Sequence, residues 1–338
     1  MKQSLISFLV IAACLSSLNN ATAQSGYKLT KTFHVASAGR WDYIAVNAAS
    51  NKLYLSHETQ VNILDKITGD SLGVIPNTTG VHGIAFNNSL GKGYTSNGKI
   101  NTVTVFDLKT DKILSQIATG ENPDAIMYDA FSNKIITCNG RSKDLTIIDA
   151  ATEKIVATIA VGGKPETAVS DNAGKLYVNI EDKNEIAVID LSTNTVTNHL
   201  SLAPGDGPSG LVIDNKTKRL FATCEKLLVV MDAANGKVVD KLPIGNGTDG
   251  AAIDVAAKLI FTSNGEGTIT VVKEISANEF KVIETIVTKK GAKTICIDDV
   301  THKLYLPTAD FEPLPAGAGE RARPKMIAGT FQALVFEK

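Results

Sequence analysis

"TVFDLKTDKILSQI", residues 104–117, runs apolar into Asp107, turns through polar residues and runs apolar again, the pattern of a β-hairpin. The chain repeats it as "TIIDAATEKIVATI" (146–159), "AVIDLSTNTVTNHL" (187–200) and "LVVMDAANGKVVDKL" (228–242). An Asp side chain accepts hydrogen bonds from backbone N–H groups about two residues on and pins a turn. Asp65, Asp107, Asp149, Asp190 and Asp232 are therefore expected to hold the hairpins, a structural role.

Working outward from the hairpin, each copy carries two further runs. The first opens with "WDYIAV" at Asp42, "VHGIAF" at His82, "PDAIMY" at Asp124, "PETAVS" at Glu166, "PSGLVI" at Ser209, "TDGAAI" at Asp249 and "AKTICI" at Lys293. The second reads "KLYLS", "KGYTS", "KIITC", "KLYVN", "RLFAT", "KLIFT" and "KLYLP". Seven copies at spacings of 40 to 44 residues, with four short β-rich runs in each, specify propeller blades. No stretch has a helical period long enough to compete. The expectation is an all-β, seven-bladed β-propeller of four-stranded blades.

The last copy has its third strand in "ALVFEK" and no fourth, while "YKLTKTFHV" (27–35) has no partner in the first copy. Docking the N-terminal strand on the last blade closes the ring and removes an exposed edge. The predicted domain is a single propeller over residues 24–338, with an insertion at 309–329 in blade 7.

Composition narrows the function classes. The formal net charge is −1 over 338 residues, with 20% charged and 6% aromatic residues, which indicates neither disorder nor bulk nucleic-acid binding. Residues 1–23 read as a secretory signal, with an apolar Leu5–Leu15 stretch and an A-x-A site ending at Ala23, so a periplasmic or secreted protein is expected. A competing parse takes "IAAC" (11–14) as a lipobox with a lipid anchor on Cys14. No later apolar run is long enough to span a bilayer. Cys138, Cys224 and Cys296 then remain, an odd number without close spacing, and are read as buried small hydrophobes.

The strand pair "LYLS" or "LYVN" followed by "VFDLKTDKI" or "IIDAATEKI" resembles the YVTN-type propeller repeat, and residues 27–338 are similar as a whole to the secreted YncE-like proteins of bacteria. The tail "LPTADFEPLP" with "ARPKMIAGTFQALVF" carries the more specific part of that resemblance. It implies a seven-bladed propeller outside the cytoplasm and no particular reaction.

Familiar motifs fail on context. "GDGPSG" (205–210) and "GNGTDG" (245–250) match G-x-G-x-x-G but lead into strands, where a dinucleotide site needs a helix N-terminus. "WD" at 41–42 opens a strand instead of closing one, "HETQV" lacks the second His of a zincin, and no G-x-S-x-G occurs.

Propeller geometry puts the opening ends of the first strands at the channel mouth, beside the loops joining second and third strands. The candidate ligand-binding residues are Trp41, Asp42, His57, His82, Asp124, Arg141, Glu166, Glu181, Ser209, Asp249 and Lys293, with Asn97, Asn139 and Asn264 on the same face. Four carboxylates at the strand entries, Asp42, Asp124, Glu166 and Asp249, favour a cation or a basic partner, although polar strand ends at a solvated mouth need no special cause. For a metal, only neighbouring pairs such as Asp124 with Glu166 or His82 with Asp124 lie close enough. Arg321, Arg323 and Lys325 make the insertion a basic flap that would fold over the acidic mouth.

The reading is a binding or interaction protein, monomeric, taking a small ligand or an envelope protein at the mouth and needing no cofactor. A lactonase-like hydrolase is the alternative, from analogy with other propellers. Single-strand nucleic-acid binding is weaker, resting on "RARPK" beside Trp41. No catalytic residues are assigned.

Overall fold

A computed structural model describes residues 25–314 and 324–338. Residues 1–24, with Cys14 and the stretch expected to be a secretory signal, and Arg321 and Arg323 of the expected flap, lie outside the described residues. Twenty-eight strands form seven four-stranded antiparallel sheets, and the helical content among the described residues is one 3-10 turn at Glu181–Lys183. Blade 1 runs Trp41–Asn47, Lys52–His57, Gln60–Asp65 and Ser71–Ile75, and the next five blades repeat that order at the expected spacing. First strands touch first strands around the ring, blade 7 meeting blade 1 again. The seven-bladed propeller is thus the observed fold.

The hairpin aspartates do what their spacing predicts. Asp65 accepts the N–H groups of Ile67 and Thr68 at 2.8 Å, Asp107 that of Thr110 at 2.7 Å, and Asp149, Asp190 and Asp232 those of Thr152, Ser192 and Ala234 at 2.8 Å. The Thr68, Thr110 and Thr152 amides hold the carboxyls of Asp65, Asp107 and Asp149 below the usual range.

Between blades, the first residue of a second strand reaches into the next blade's hairpin. Lys52 Nζ donates to Leu108 O and to Asp111 at 2.8 and 2.7 Å, Lys92 to Glu153 at 2.6 Å, Lys134 to Leu191 O at 2.5 Å, and Arg219 Nε to Ala277 O at 2.6 Å. These charge-assisted bonds fix the angle between sheets whose facing surfaces are filled by the buried Val, Ile, Leu and aromatic side chains of neighbouring blades. Cys138 and Cys224 are part of this packing, and burial pushes both thiols up, Cys224 to about 12.

Blade 7 closes as the repeat count requires. Its order is Cys296–Ile297, Leu304–Thr308, Gln332–Glu337 and then the N-terminal Lys28–His34, which pairs antiparallel from Lys28 opposite Glu337 to His34 opposite Gln332. Phe33 anchors the strand: it is 4% exposed and its ring lies on Gly69 of the blade 1 hairpin, where a Cβ would fall 2.2 Å from Phe33 Cδ1. Gly69 also needs its φ of +82°. Tyr27 packs edge-on against Phe261 at 5.1 Å, and its hydroxyl donates to His302 O at 2.7 Å. One strand therefore ties blade 6, blade 7 and blade 1 together.

Phe33→Ala is expected to cost about 3–5 kcal/mol, and deletion of residues 27–35 to abolish cooperative unfolding. Urea unfolding followed by far-ultraviolet circular dichroism checks both. A deletion variant with the parent's midpoint would show that the ring closes without this strand.

Candidate functional site

Irregular pairing aims the channel side chains. In five blades the register between first and second strands slips near the start, between Trp41 and Ile44, Val81 and Ile84, Pro123 and Ile126, Pro165 and Ala168, and Thr248 and Gly250. A bulge adds an unpaired residue, bends the strand and re-aims its side chains. The slips cover Asp42, His82, Asp124, Glu166 and Asp249. In blades 5 and 7 the first strand begins only at Leu211 and Cys296, so Ser209 and Lys293 sit on the approach instead.

Asp42, His82 and Asp124 converge from three successive blades. His82 Nδ1 lies 2.6 Å from Asp42 Oδ2 and 3.7 Å from Asp124 Oδ1. Gly98 seats the imidazole, since a Cβ there would fall 2.7 Å from His82 Nε2. Burial works against the imidazolium, but the Asp42 hydrogen bond and the charges of Asp124, Asp42 and Glu166 outweigh it and leave the His82 pKa raised. Burial, with the Asp42 and Asp249 charges added and His82 opposing, lifts Asp124 to about 6; burial and Asp124 lift Glu166 to about 8 against the pull of Lys164.

The neighbouring carboxylates are compensated by lysines. Lys164 reaches Glu166 at 2.5 Å and also contacts Glu181, and Lys293 pairs with Asp249. The mouth is therefore a set of paired charges and not a bare acidic ring. Beneath it, Tyr43 points its phenol among the same acids; burial first, then Asp124, Asp42, Glu166 and Asp249, push its pKa far up.

A second feature opens beside this cluster. A cavity of about 820 Å³ is walled by Trp41, Phe311, Pro324 and Met326 and rimmed by Arg40, Lys290, Lys293 and Lys325, with Glu58 as its acid. Trp41 stacks on Phe331 at 5.3 Å and 25° and meets Phe311 at 6.0 Å. Its indole N–H is buried and has no hydrogen-bond partner among the described residues. Glu58 is engaged by Lys99 at 3.2 Å and by the Arg40 backbone N–H. Among the described residues, no acid lies within ion-pair distance of the Arg40 guanidinium or the Lys290 ammonium.

Several expected mouth residues lie elsewhere. His57 is 0% exposed because the second strand runs on through it, Lys52–His57. Its Nε2 donates to Gly39 O at 3.0 Å, its Nδ1 meets Ser37 Oγ at 2.6 Å, and its ring rests 4.2 Å from Phe331, behind Trp41. Burial lowers its pKa, so it is a neutral wall residue. Asn97, Asn139 and Asn264 occupy the matching buried position and donate to Thr104, Thr146 and Thr270 at 2.8, 2.8 and 3.0 Å. Ser209 is buried and donates to Thr248 O at 2.9 Å, which joins blade 5 to blade 6. Arg141 is exposed, with no side-chain bond to the cluster. Lys325 pairs at 3.5 Å with Glu312 inside the insertion and borders the cavity instead of covering the acids.

Tyr43, Lys164, Arg40, Lys290, Phe311 and Met326 belong to the site and were not among the sequence candidates. Lys164 stands two residues before Glu166, on the approach to the same bulge, and Arg40 and Tyr43 flank Trp41 and Asp42. Position in the repeat marks these three, whereas Lys290, Phe311 and Met326 come from the non-repeating tail.

No protein-family model matches the chain, and no curated protein matches it in sequence. Among solved structures it is similar to a chain of hydrazine synthase from Kuenenia stuttgartiensis, at 14% identity over 78% of this chain and 91% of that one, with a TM-score of 0.70. A likeness at that identity is one of fold alone.

The raised groups give the mouth a signed pH dependence. A raised carboxyl or imidazole pKa stabilises the fold while the proton is held, and the contribution is lost as pH climbs through the folded value. His57, lowered, works the other way below its ordinary 6.5, so the clean window lies above that. Between pH 6.5 and about 8 the thermal midpoint is expected to fall, and Glu166→Gln to flatten the slope. A parent midpoint constant across the window in differential scanning calorimetry would mean Glu166 is ionised throughout.

Proposed function

We propose that the chain is an exported binding protein, of the YVTN-type, YncE-like kind, whose mouth-face cavity takes a small organic anion with a flat apolar body. The single observation that carries this is the cavity's lining: an aromatic and apolar wall on one side and, on the other, Arg40 and Lys290, which have no acid partner among the described residues. Its volume falls within the roughly 300–1,000 Å³ of small-molecule sites. Trp41 and Phe311 offer ring faces, and the Arg40 fork suits a carboxylate or phosphate. The leader reading of residues 1–23 supports export, and among the described residues no helix is long and apolar enough to cross a membrane.

Binding is favoured over lactone hydrolysis by the surroundings of His82. Its hydrogen-bond and ion-pair partners are carboxylates, and no hydroxyl or thiol among the described residues bonds to it as a nucleophile would. Cys138, which lines the channel below with Tyr43, has its thiol pushed far up by burial, which leaves it protonated and inert.

Trp41 is the single tryptophan of the chain, so its fluorescence reports on the cavity directly. Titration with aromatic carboxylates, aliphatic carboxylates, phosphates, neutral sugars and a short single-stranded oligonucleotide is expected to give saturable quenching by an aromatic anion. The Arg40→Gln, Lys290→Gln double variant is expected to bind it about tenfold or more weakly, the loss of charge-assisted bonds. Neutral compounds binding equally well, or tight binding by the oligonucleotide alone, would overturn the small-anion reading.

A further inference from the structure

We propose that Asp42, His82 and Asp124 form a binding site for one divalent transition-metal cation at the channel mouth, bridging blades 1, 2 and 3. The donor atoms, one imidazole nitrogen and two carboxylate oxygens, all lie within 4.8 Å of one another. Ligands held about 2.0–2.2 Å from one ion stand roughly 3–3.5 Å apart. The His82 Nδ1 distances of 2.6 Å to Asp42 and 3.7 Å to Asp124 bracket that spacing, so side-chain rotation alone opens the set to an ion. No backbone shift is needed.

The three side chains are delivered by independent means to one point. Each comes from a different blade, and each lies within the register slip of its own first strand. Their backbones are held as well: Thr294 Oγ1 donates to Asp42 O at 2.6 Å, the Gly83 N–H beside His82 donates to Ser96 Oγ at 2.8 Å, and Ser96 Oγ donates to Asp124 O. Gly98 keeps the imidazole turned so that Nδ1, and not Nε2, faces the carboxylates. That is a preorganised set, and preorganisation is what a metal site requires of its scaffold.

The donor chemistry selects the class of ion. Calcium takes six to eight oxygens and magnesium an octahedron of them, more than two carboxylates supply. One imidazole with two carboxylates suits Zn²⁺, a borderline ion, or Mn²⁺, a harder one that takes carboxylates, and leaves coordination positions open toward the mouth. The charge also balances: two carboxylates against a dication. In the metal-free protein the hydrogen bond between His82 Nδ1 and Asp42 takes up part of that charge. Binding replaces that bond: the Nδ1 lone pair is freed when its proton leaves to solvent.

The experiment uses the whole chain, stripped with chelator and titrated calorimetrically with Zn²⁺ and with Mn²⁺ at pH 6 and pH 8, with Ca²⁺ for comparison. The expected result is one Zn²⁺ or Mn²⁺ per chain, bound about tenfold or more tightly at pH 8, with protons released on binding and Ca²⁺ much weaker. Asp124→Asn and His82→Gln are each expected to weaken binding by about tenfold or more. Saturating metal should raise the parent midpoint by about 5 °C at a hundred times its Kd. No saturable binding by the parent, or parent-like affinity in a folded Asp124→Asn, would overturn the site. Should a variant fail to fold, nuclear magnetic resonance of the parent decides: Mn²⁺ that leaves the His82 ring resonances unbroadened places the ion elsewhere. Arg40→Gln, Lys290→Gln should bind the metal as the parent does, which separates this site from the anion cavity.

Discussion

Every sheet of this protein must be covered on both faces, and only closure of the ring supplies the seventh pair of faces. A four-stranded blade alone exposes two apolar surfaces and two edges. The chain satisfies the requirement with seven blades by lending its first strand to its last sheet, so that residues nearly the full length of the sequence apart share a ladder. Phe33 on Gly69 shows how tightly the closing strand is coupled to the next blade: the contact lies outside its own sheet, at a hairpin of blade 1. The lysine and arginine reaches from blade to blade repeat that coupling around the ring.

Closure also determines where chemistry can sit. Interior faces are filled, and the polar positions inside them are spent on hydrogen bonds: Asn97, Asn139 and Asn264 hold third-strand threonines, and His57 holds Gly39 O and the third-strand Asn62. What remains free is the top of the first strands, where in five blades the pairing slips. There a side chain is aimed by a bulge, held by a hydroxyl from a neighbouring blade and surrounded by its counterparts. A rigid frame with adjustable residues at one rim lets function vary without cost to the core.

The repeat was legible because it is written in spacing. Seven copies at 40 to 44 residues and a recurring hairpin Asp specified the blades, their number and the closing strand without any knowledge of packing. The rim was legible only in part. Asp42, His82, Asp124 and Glu166 follow from the alignment of the copies, but whether an aligned residue reaches the channel depends on a one-residue slip in hydrogen-bond register, which composition does not encode. His57 shows the limit: the repeat ends the second strand at Ser56 and puts His57 in the loop, whereas the strand continues through it by one position, which turns it inward. The cavity was hidden for another reason. Phe311 and Met326 are brought to Trp41 by the non-repeating tail, whose pairing of Phe311 with Met326 has no counterpart in the other blades.

The mouth is electrically divided, and Trp41 and Asp42 mark the boundary. The first side chain faces a cavity rimmed by Arg40, Lys290, Lys293 and Lys325; the next turns its carboxylate to His82. Successive side chains of a strand point to opposite sides, so one strand start separates two environments of opposite sign. Lys293 spans them, paired to Asp249 and held protonated against burial by Asp249, Asp42 and Asp124, while its stem lines the cavity. A near-neutral chain thereby keeps two strong local fields within one rim. Lys293 therefore belongs to both halves of the rim.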